Sequence, residues 1–303
     1  MKTLFNYSIV CLFSVISYAQ QTDSNVYLKI LGTLQDGGSP HLGCEKKCCN
    51  NLQTEEMNVR KVTSLAIHLP KAQKVFLVEA TPDITDQWKL LEKAPDGIFL
   101  THAHVGHYSG LLHLGREVLN AQKIPVYVMP RFYNFLMTNG PWSQLVELEN
   151  IVLSPLQNAA EVHFAENLII TPLQVPHRDE FSETVGFHIK GPQKSALFIP
   201  DIDKWSIWEK DIVSLVSSVD YAFIDATFYS GDELPHRSIE EVPHPLVIET
   251  LSLFKNQSLS TKNKIYFIHM NHTNPLLDKG SKATETVLKK GFNIAQPGQL
   301  FQL

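Results

Sequence analysis

Three histidines lie within six residues of one another and could bind a single metal ion. His102 and His104 alternate on a segment that leaves an apolar run at 98–100, so both imidazoles can point to the same side. His107 follows where the chain is expected to turn into a helix. Neutral imidazole is a favoured ligand of zinc and other first-row divalent ions. The spacing therefore predicts a metal site, against the alternative of three unrelated polar histidines on an exposed loop.

A second group of potential ligands lies earlier in the chain, where Cys44, Cys48 and Cys49 fall within six positions. Three is an odd number for a disulfide framework. Together with His41, these cysteines could supply the four nitrogen and sulfur ligands of a closed structural zinc site. The alternative is one disulfide with a spare thiol, or a partly oxidised surface loop, in an oxidising compartment.

The N-terminal segment has the composition of a secretory signal peptide. Lys2 supplies a positive charge, residues 4–16 are mostly apolar, and Ser17 and Ala19 stand at the two positions that a signal peptidase reads. We predict a signal peptide at 1–19 and an exported mature protein, periplasmic or secreted. The stretch is too short for a stable membrane span, although an uncleaved anchor is the alternative, and no other transmembrane run follows.

Short β-branched runs alternate with amphipathic segments along residues 20–303, without repeats or low-complexity linkers. Mixed hairpins and βα units of this kind predict a single α/β domain, a sandwich with its sheets inside. Candidate ligands fall at strand ends, where loops can aim side chains into one cleft. The predicted strands are 26–31, 64–69, 75–79, 98–100, 126–129, 168–175, 184–189, 196–199, 221–225 and 265–269. The predicted helices are 84–93, 108–120, 131–138 and 205–216.

Composition limits the classes of partner. A hydrophobic content of 44% with 19% charged residues is ordinary for a folded soluble protein. The formal net charge of −5 argues against a broad nucleic-acid surface, which needs a basic excess. We therefore expect a small-molecule substrate. The sequence does not indicate an oligomeric state.

The histidine segment resembles the His-x-His-x-Asp-His signature of the metallo-β-lactamase superfamily. Members of that superfamily are four-layer αββα sandwiches with metal in a groove at the sheet edges. The resemblance implies that His177, in Val-Pro-His-Arg-Asp, is the third ligand of the first metal site. It also implies that Asp201 is the carboxylate that bridges two metals and that His269 is the last histidine.

Within the superfamily, the chain is similar to the PqqB-like branch, named for pyrroloquinoline-quinone biosynthesis protein B. The features are the cysteine-rich loop after the first strand and the segments 176–181, 224–228, 242–245 and 269–275. This likeness implies a non-haem iron oxidoreductase as an alternative function. Export argues against the same pathway role, because assembly of a cofactor on a precursor peptide is expected in the cytoplasm.

One position departs from the signature, because Gly106 stands where the superfamily has Asp. That Asp normally holds the second metal, so the second site retains only His107, His269 and a share of Asp201. We expect one tightly bound ion and a weak or absent second. Asp36 could reach in as a substitute, but its Asp-Gly-Gly context favours a plain turn.

Further polar residues are candidates for substrate binding. Arg178 could bind an anionic group, although an exposed loop charge is the default interpretation. His244 could line the cleft or be a satisfied structural histidine. His272 competes with His269 for the last metal position and could otherwise contact substrate. Asp225 ends a buried strand, where it could orient a ligand histidine or cap a turn.

The leading functional prediction is metal-assisted hydrolysis. One zinc-like ion, bound by His102, His104 and His177, would lower the pKa of a bound water and polarise the electrophile. Asp201 would bind or orient that water, and His107 and His269 would donate protons or complete a weak second site. The alternatives are iron-dependent redox chemistry and a non-catalytic periplasmic metal- or ligand-binding protein. Hydrolysis of β-lactam antibiotics is disfavoured, because it commonly uses the second metal whose Asp ligand is missing.

Overall fold

Two β-sheets of seven strands each pack face to face in the computed structural model, which describes residues 25–235 and 237–303. The predicted signal peptide at 1–19 lies outside the described residues. With strands numbered in chain order, the first sheet runs β14 (Leu300–Gln302), β1 (Tyr27–Gly32), β2 (Ser64–Leu69), β3 (Lys74–Val78), β4 (Gly97–Phe99), β5 (Ile124–Val128) and β6 (Ile151–Pro155). The second sheet runs β13 (Asn293–Ile294), β12 (Ile265–Ile268), β11 (Tyr221–Asp225), β10 (Ser195–Ile199), β9 (Val185–Lys190), β8 (Ile169–Gln174) and β7 (Val162–His163).

Helices lie outside the two sheets. In chain order they are α1 (Lys47–Asn50), α2 (Thr54–Val59), α3 (Ile84–Lys89), α4 (Val105–Tyr108), α5 (Pro130–Thr138), α6 (Trp142–Glu147), α7 (Ile212–Ser218), α8 (Val247–Leu253), α9 (Leu259–Lys262) and α10 (Lys282–Lys289). Buried residues of α3, α5 and α6 pack on the first sheet, and those of α7, α8 and α10 pack on the second. The predicted four-layer αββα sandwich is confirmed.

The central core lies between the sheets and contains many aromatic side chains. Phe99 of β4 contacts Phe187 of β9 on the opposite sheet, with ring centroids 5.7 Å apart. In β10, Phe198 packs in this central core, whereas Leu197 and Ile199 pack towards the outer helices. Because both faces are buried, β10 is a continuous apolar run rather than an alternating one.

The strands that precede the predicted ligands end at one edge of the sandwich. β3 to β6 run parallel in the first sheet, and β10 to β13 run parallel in the second. The carboxyl ends of parallel strands meet at the same edge, so the following loops can face a common cleft. His102 and His104 follow β4, Asp201 follows β10, and His269 follows β12.

The predicted helix at 108–120 is wrong in extent. The chain forms α4 and then a 3-10 segment, Ser109–Leu114, and leaves helical geometry at Gly115. The cause is close packing at Gly110, whose N–H donates to the Ala80 carbonyl at 2.8 Å. A Cβ at Gly110 would lie only 2.2 Å from the Thr81 carbonyl oxygen. The loop after β3 therefore shapes this segment more than helix propensity does.

The predicted helix at 205–216 is also wrong, because it is divided in two. Its first part is a 3-10 turn, Trp205–Ile207, and α7 begins only after Asp211. The Asp211 carboxylate accepts hydrogen bonds from the backbone N–H groups of Val213 and Ser214. An N-cap of this kind starts a new helix and satisfies N–H groups that have no partner in the first turn.

No helix within residues 25–235 and 237–303 has the length and apolar character needed to span a bilayer.

Candidate metal centre

Three histidines form the first cluster of the cleft. His102 and His104 lie on the loop after β4, and His177 lies between β8 and β9. The Nε2 atom of His102 is 2.9 Å from Nδ1 of His104. One nitrogen from each of the three imidazoles lies within 4.8 Å of the others. The structure therefore brings together the residues predicted for the first metal site.

The second cluster contains Asp36, His107, Asp201 and His269, whose ligand atoms also lie within 4.8 Å of one another. Asp36 Oδ1 is 3.1 Å from His107 Nε2 and 3.3 Å from His269 Nε2. The expectation that Asp36 serves only a turn is wrong. Asp36 does lie in a turn, but its carboxylate points into the cleft beside His107 and His269. The second cluster therefore has a carboxylate besides Asp201.

Asp201 lies between the two clusters and contacts both. Oδ2 is 3.0 Å from His107 Nε2 and 3.2 Å from His269 Nε2, and Oδ1 is 3.7 Å from His177 Nε2. Burial alone would raise the pKa of this carboxyl, but His269 and the hydrogen bond with His107 hold the pKa well below its usual range. Asp201 is therefore an anion placed where the predicted bridging carboxylate should lie.

Four imidazoles of the two clusters have one ring nitrogen close to an oxygen atom. Partners of this kind orient a ligand histidine and select its tautomer. The hydrogen-bonded pairs are His102 Nδ1 with Thr101 Oγ1 at 2.8 Å, His104 Nε2 with Glu180 Oε2 at 3.0 Å, and His269 Nδ1 with Thr227 Oγ1 at 3.0 Å. His107 Nδ1 lies 3.4 Å from Glu79 Oε1, an ion-pair distance without a hydrogen bond. None of these four partners was predicted from the sequence. The only available signal was a polar residue directly after a buried strand, which marks Glu79 and Thr101.

His177 provides the test of whether the first cluster fits a metal. Its side chain is 1% exposed, and neither ring nitrogen has a hydrogen-bond partner. Buried polar atoms are nearly always satisfied, so an unpartnered pair requires an explanation. Burial lowers the pKa of His177 to about 4, which leaves a neutral ring with a free lone pair. A divalent ion between this imidazole and those of His102 and His104 would satisfy one of its two ring nitrogens.

Two residues of the centre have left-handed backbone conformations, which are uncommon without glycine. Glu79 has φ of 74° and His269 has φ of 64°, and both are fully buried. Such conformations cost of order 1–3 kcal/mol each and tend to occur at functional sites. The fold therefore holds these two side chains in place at the expense of local backbone energy.

His244 lies beside the two clusters, between two carboxylates. Its Nδ1 atom is 2.9 Å from Asp225 Oδ2 and 3.3 Å from Asp201 Oδ1. Burial alone would lower the pKa of His244, but Asp225 and Asp201 raise it above its ordinary value. Asp225 also accepts the hydroxyl hydrogen bond of Thr227. Asp225 therefore orients His244, whereas the interpretation that it orients a metal-ligand histidine stays a prediction.

Arg178 lies at the rim of the cleft rather than inside it. Its side chain is 53% exposed, and Nη1 is 3.7 Å from Glu180 Oε1. Glu180 in turn contacts His104. The guanidinium group therefore stands on the loop beside the first cluster, where an anionic group entering the cleft would meet it.

The cysteine cluster has a different fourth member from the predicted one. Cys44, Cys48, Cys49 and His272 place their ligand atoms within 4.8 Å of one another. The prediction of His41 is wrong, because its ring stacks on His272 at 4.3 Å and its Nδ1 lies 3.0 Å from the Leu42 carbonyl. His272 is therefore not a competitor for the cleft metal. All three cysteines are free thiols.

Comparison with known proteins gives a consistent result. The family described as "Beta-lactamase superfamily domain" matches residues 74–275. Coenzyme PQQ synthesis protein B of Acinetobacter baumannii (strain ACICU) is 26% identical and covers 92% of this chain and 100% of the relative. The protein of the same name from Nitrosococcus oceani is 27% identical and covers 89% and 98%.

Solved structures share the fold. Zn(2+)-bound PqqB from Methylobacterium extorquens has a TM-score of 0.73 at 21% identity and covers 91% of this chain and all of that one. A diphosphatase of the PhnP family has a TM-score of 0.67 at 20% identity, with 92% and 97% covered.

We predict that replacing Asp225 by Ala destabilises the protein by about 3–5 kcal/mol, the usual result of removing one partner from a buried charged pair. Asp225 is fully buried and accepts backbone hydrogen bonds from Ile202 and Thr227 besides its contact with His244. The free energy of unfolding in urea at neutral pH measures the effect.

Asp220→Ala is the matched control, because the exposed Asp220 carboxylate accepts one backbone hydrogen bond, from Ser195. The control should lose about 1 kcal/mol. Equal losses in the two variants would contradict the role given to Asp225.

Proposed function

The chain belongs to the metallo-β-lactamase superfamily and resembles its PqqB-like branch, and on that premise we propose that it is a metal-dependent hydrolase of a small-molecule substrate. The ion would bind at His102, His104 and His177, with Asp201 alongside. The observation that carries the proposal is the buried, unpartnered imidazole of His177, aimed at the other two histidines. Zinc is the first candidate and iron the second, because both accept imidazole and carboxylate ligands.

Different residues of the cleft would serve different steps of hydrolysis. When bound, the ion would make a water more acidic and polarise the electrophile. Asp201 would accept a hydrogen bond from the water whose oxygen forms the new bond. The proton lost by that water would reach the departing group through the carboxylate or a neighbouring imidazole. Glu180, Glu79, Thr101 and Thr227 would keep the imidazoles aligned, so that little reorganisation accompanies the reaction.

A redox function is the second candidate. The observation that favours it is the likeness to proteins named coenzyme PQQ synthesis protein B over about nine-tenths of the chain. Histidines plus a carboxylate with open positions also suit non-haem iron. The two candidates differ in which metal supports turnover, since hydrolysis needs no change in the oxidation state of the ion.

We further propose that the cysteine cluster holds a structural zinc ion. Three thiol sulfur atoms and one imidazole nitrogen form a complete tetrahedral set without an open position, which is typical of structural sites. The cluster joins the loop after β1 to the segment after β12, two parts of the chain that lie far apart in sequence.

The hydrolase proposal predicts that protein purified without added ions carries a cleft metal and cleaves at least one of three chromogenic probes. These are a phosphodiester, bis(p-nitrophenyl) phosphate, an ester, p-nitrophenyl acetate, and the β-lactam nitrocefin. We expect His177→Ala to lower kcat/KM by about 100-fold or more, because loss of a ligand exceeds the effect of losing an orienting partner. A chelator should abolish turnover, and zinc should restore it.

His188→Ala, on strand β9 away from the cleft, is the control and should keep turnover within about twofold of the unaltered protein, as expected of a position outside the site. Turnover that survives chelation or His177→Ala would refute the hydrolase proposal. Turnover of these probes that returns with iron but not with zinc would make iron the hydrolytic metal, whereas the redox candidate predicts that the metal-loaded protein cleaves none of them.

The cysteine centre makes a separate prediction. His272→Ala should reduce the zinc content by one equivalent and expose the three thiols to a thiol-specific dye, because a tridentate site holds zinc more weakly. His41→Ala should leave both readouts unchanged, since that imidazole stacks on His272 and contacts the Leu42 carbonyl but is not one of the four clustered ligand groups. Zinc analysis and thiol titration measure the effect. A disulfide among these cysteines in the native protein, or zinc loss in His41→Ala alone, would contradict the assignment.

A further inference from the structure

Gly106 leaves a space that another residue fills. A Cβ atom at this position would lie 2.5 Å from both Cα and Cγ of Asp36 and 2.7 Å from its Cβ. Real Cβ atoms essentially never come so close to another carbon, and the obstacle here includes backbone. Any residue larger than glycine at 106 would therefore displace Asp36. Asp36 can therefore occupy this position in the cleft only because residue 106 has no side chain.

The Asp36 carboxylate uses its two oxygens differently. Oδ2 accepts a hydrogen bond from the Gly106 backbone N–H at 3.3 Å. Oδ1 faces His107 Nε2 and His269 Nε2. The Asp36 side chain is 14% exposed, and a carboxylate so deeply placed needs compensating partners. One oxygen is therefore anchored by the backbone, and the other is directed at the two ligand histidines and Asp201.

The turn itself does not need the Asp36 side chain. Asp in an Asp-Gly-Gly segment normally stabilises its own turn by accepting a local backbone hydrogen bond. Here Gln35 does this, because its carbonyl accepts from Gly38 N and its side-chain oxygen accepts from Gly37 N. The Asp36 carboxylate is thus released from the local role that its sequence context suggests.

Backbone pairing fixes the loop after β1 beside the last ligand histidine. Gln35 N–H donates to the Met270 carbonyl at 2.9 Å, and Met270 N–H donates to the Thr33 carbonyl at 2.8 Å. Leu34 bridges Val62 on one side and Met270 on the other. Asp36 follows this pairing by one residue, and His269 precedes it by one. Their proximity is therefore a property of the fold rather than of one rotamer.

We propose that Asp36 is the carboxylate ligand of a second metal ion, supplied from the loop after β1 in place of a side chain at position 106, and that Gly106 is the residue that makes this exchange fit. The inference rests on the proposed function for the first ion. His107, His269, Asp36 and Asp201 offer two nitrogen and two oxygen atoms to the second ion, a set suited to zinc, manganese or iron.

The competing explanation is a metal-free network in which Asp36 and Asp201 serve only as counter-ions of the histidines. The two explanations differ in what Asp36→Asn does to metal binding. A counter-ion affects stability without changing the number of ions bound. A ligand determines the affinity for one particular ion and leaves the other nearly unchanged.

The test is zinc titration of the full-length protein against a competing chromogenic chelator. We expect two cleft ions in the unaltered protein, in addition to any held by the cysteines. Asp36→Asn should weaken one cleft ion by about 100-fold or more, beyond the 10- to 100-fold typical of losing an orienting partner. The control Asp86→Asn, which alters an exposed carboxylate paired with Lys61, should leave both affinities unchanged.

The affinity of the first cleft ion guards against misfolding, because a folded Asp36→Asn should leave that affinity nearly unchanged. A second variant, Gly106→Ala, would place a Cβ atom 2.5 Å from both Cα and Cγ of Asp36, so it should weaken the second ion and spare the first. Retention of two cleft ions in Asp36→Asn, or a single cleft ion in the unaltered protein, would overturn the inference. Failure of the proposed function would appear differently, as a cleft that binds no ion or as turnover that survives loss of His177.

Discussion

The buried carboxylate of Asp201 is the group around which the rest of the centre is arranged. A carboxylate removed from water is unstable as an anion unless opposite charge and hydrogen bonds surround it. Five histidines from four parts of the chain surround the carboxylate here, the closest being His107 Nε2 at 3.0 Å and His269 Nε2 at 3.2 Å. They are His102, His107 and His269 around Oδ2, and His177 and His244 around Oδ1. These loops can converge only if the two sheets meet at this edge of the sandwich. The burial of the Asp201 carboxylate therefore constrains both the fold and the site.

The cleft and the cysteine cluster are joined through the same two segments. The loop after β1 carries Asp36 into the cleft and Cys44 into the cysteine cluster. The segment after β12 likewise supplies His269 to the cleft and His272 to the cysteines. Backbone hydrogen bonds between Gln35, Met270 and Thr33 hold the two segments together. A structural ion at the cysteines would therefore reinforce the same pairing that positions the second cluster.

Local sequence patterns were sufficient to predict ten of the fourteen described strands and the close group of histidines, but not β6 or the short strands β7, β13 and β14. The spacing of His102 and His104 predicts that their side chains point to the same side, because neighbouring residues of an extended segment point to opposite sides. The order of His177, Asp201 and His269 came from the family resemblance. Asp36 was considered as a substitute ligand, but its Asp-Gly-Gly context favoured a plain turn, and only the fold shows that Gln35 serves that turn. His41 was preferred to His272 for the same reason: spacing reveals nearby ligands but not one contributed by a distant strand.

Anomalous X-ray diffraction at the zinc and iron edges, from crystals of protein purified without added ions, tests the central claim most directly. The account predicts a metal peak bounded by the ring nitrogens of His102, His104 and His177. It predicts a second peak bounded by His107, His269, Asp36 and Asp201, with the Asp201 carboxylate between the two. A cleft without a metal peak, in which the imidazoles and carboxylates bond only to one another and to water, would contradict it.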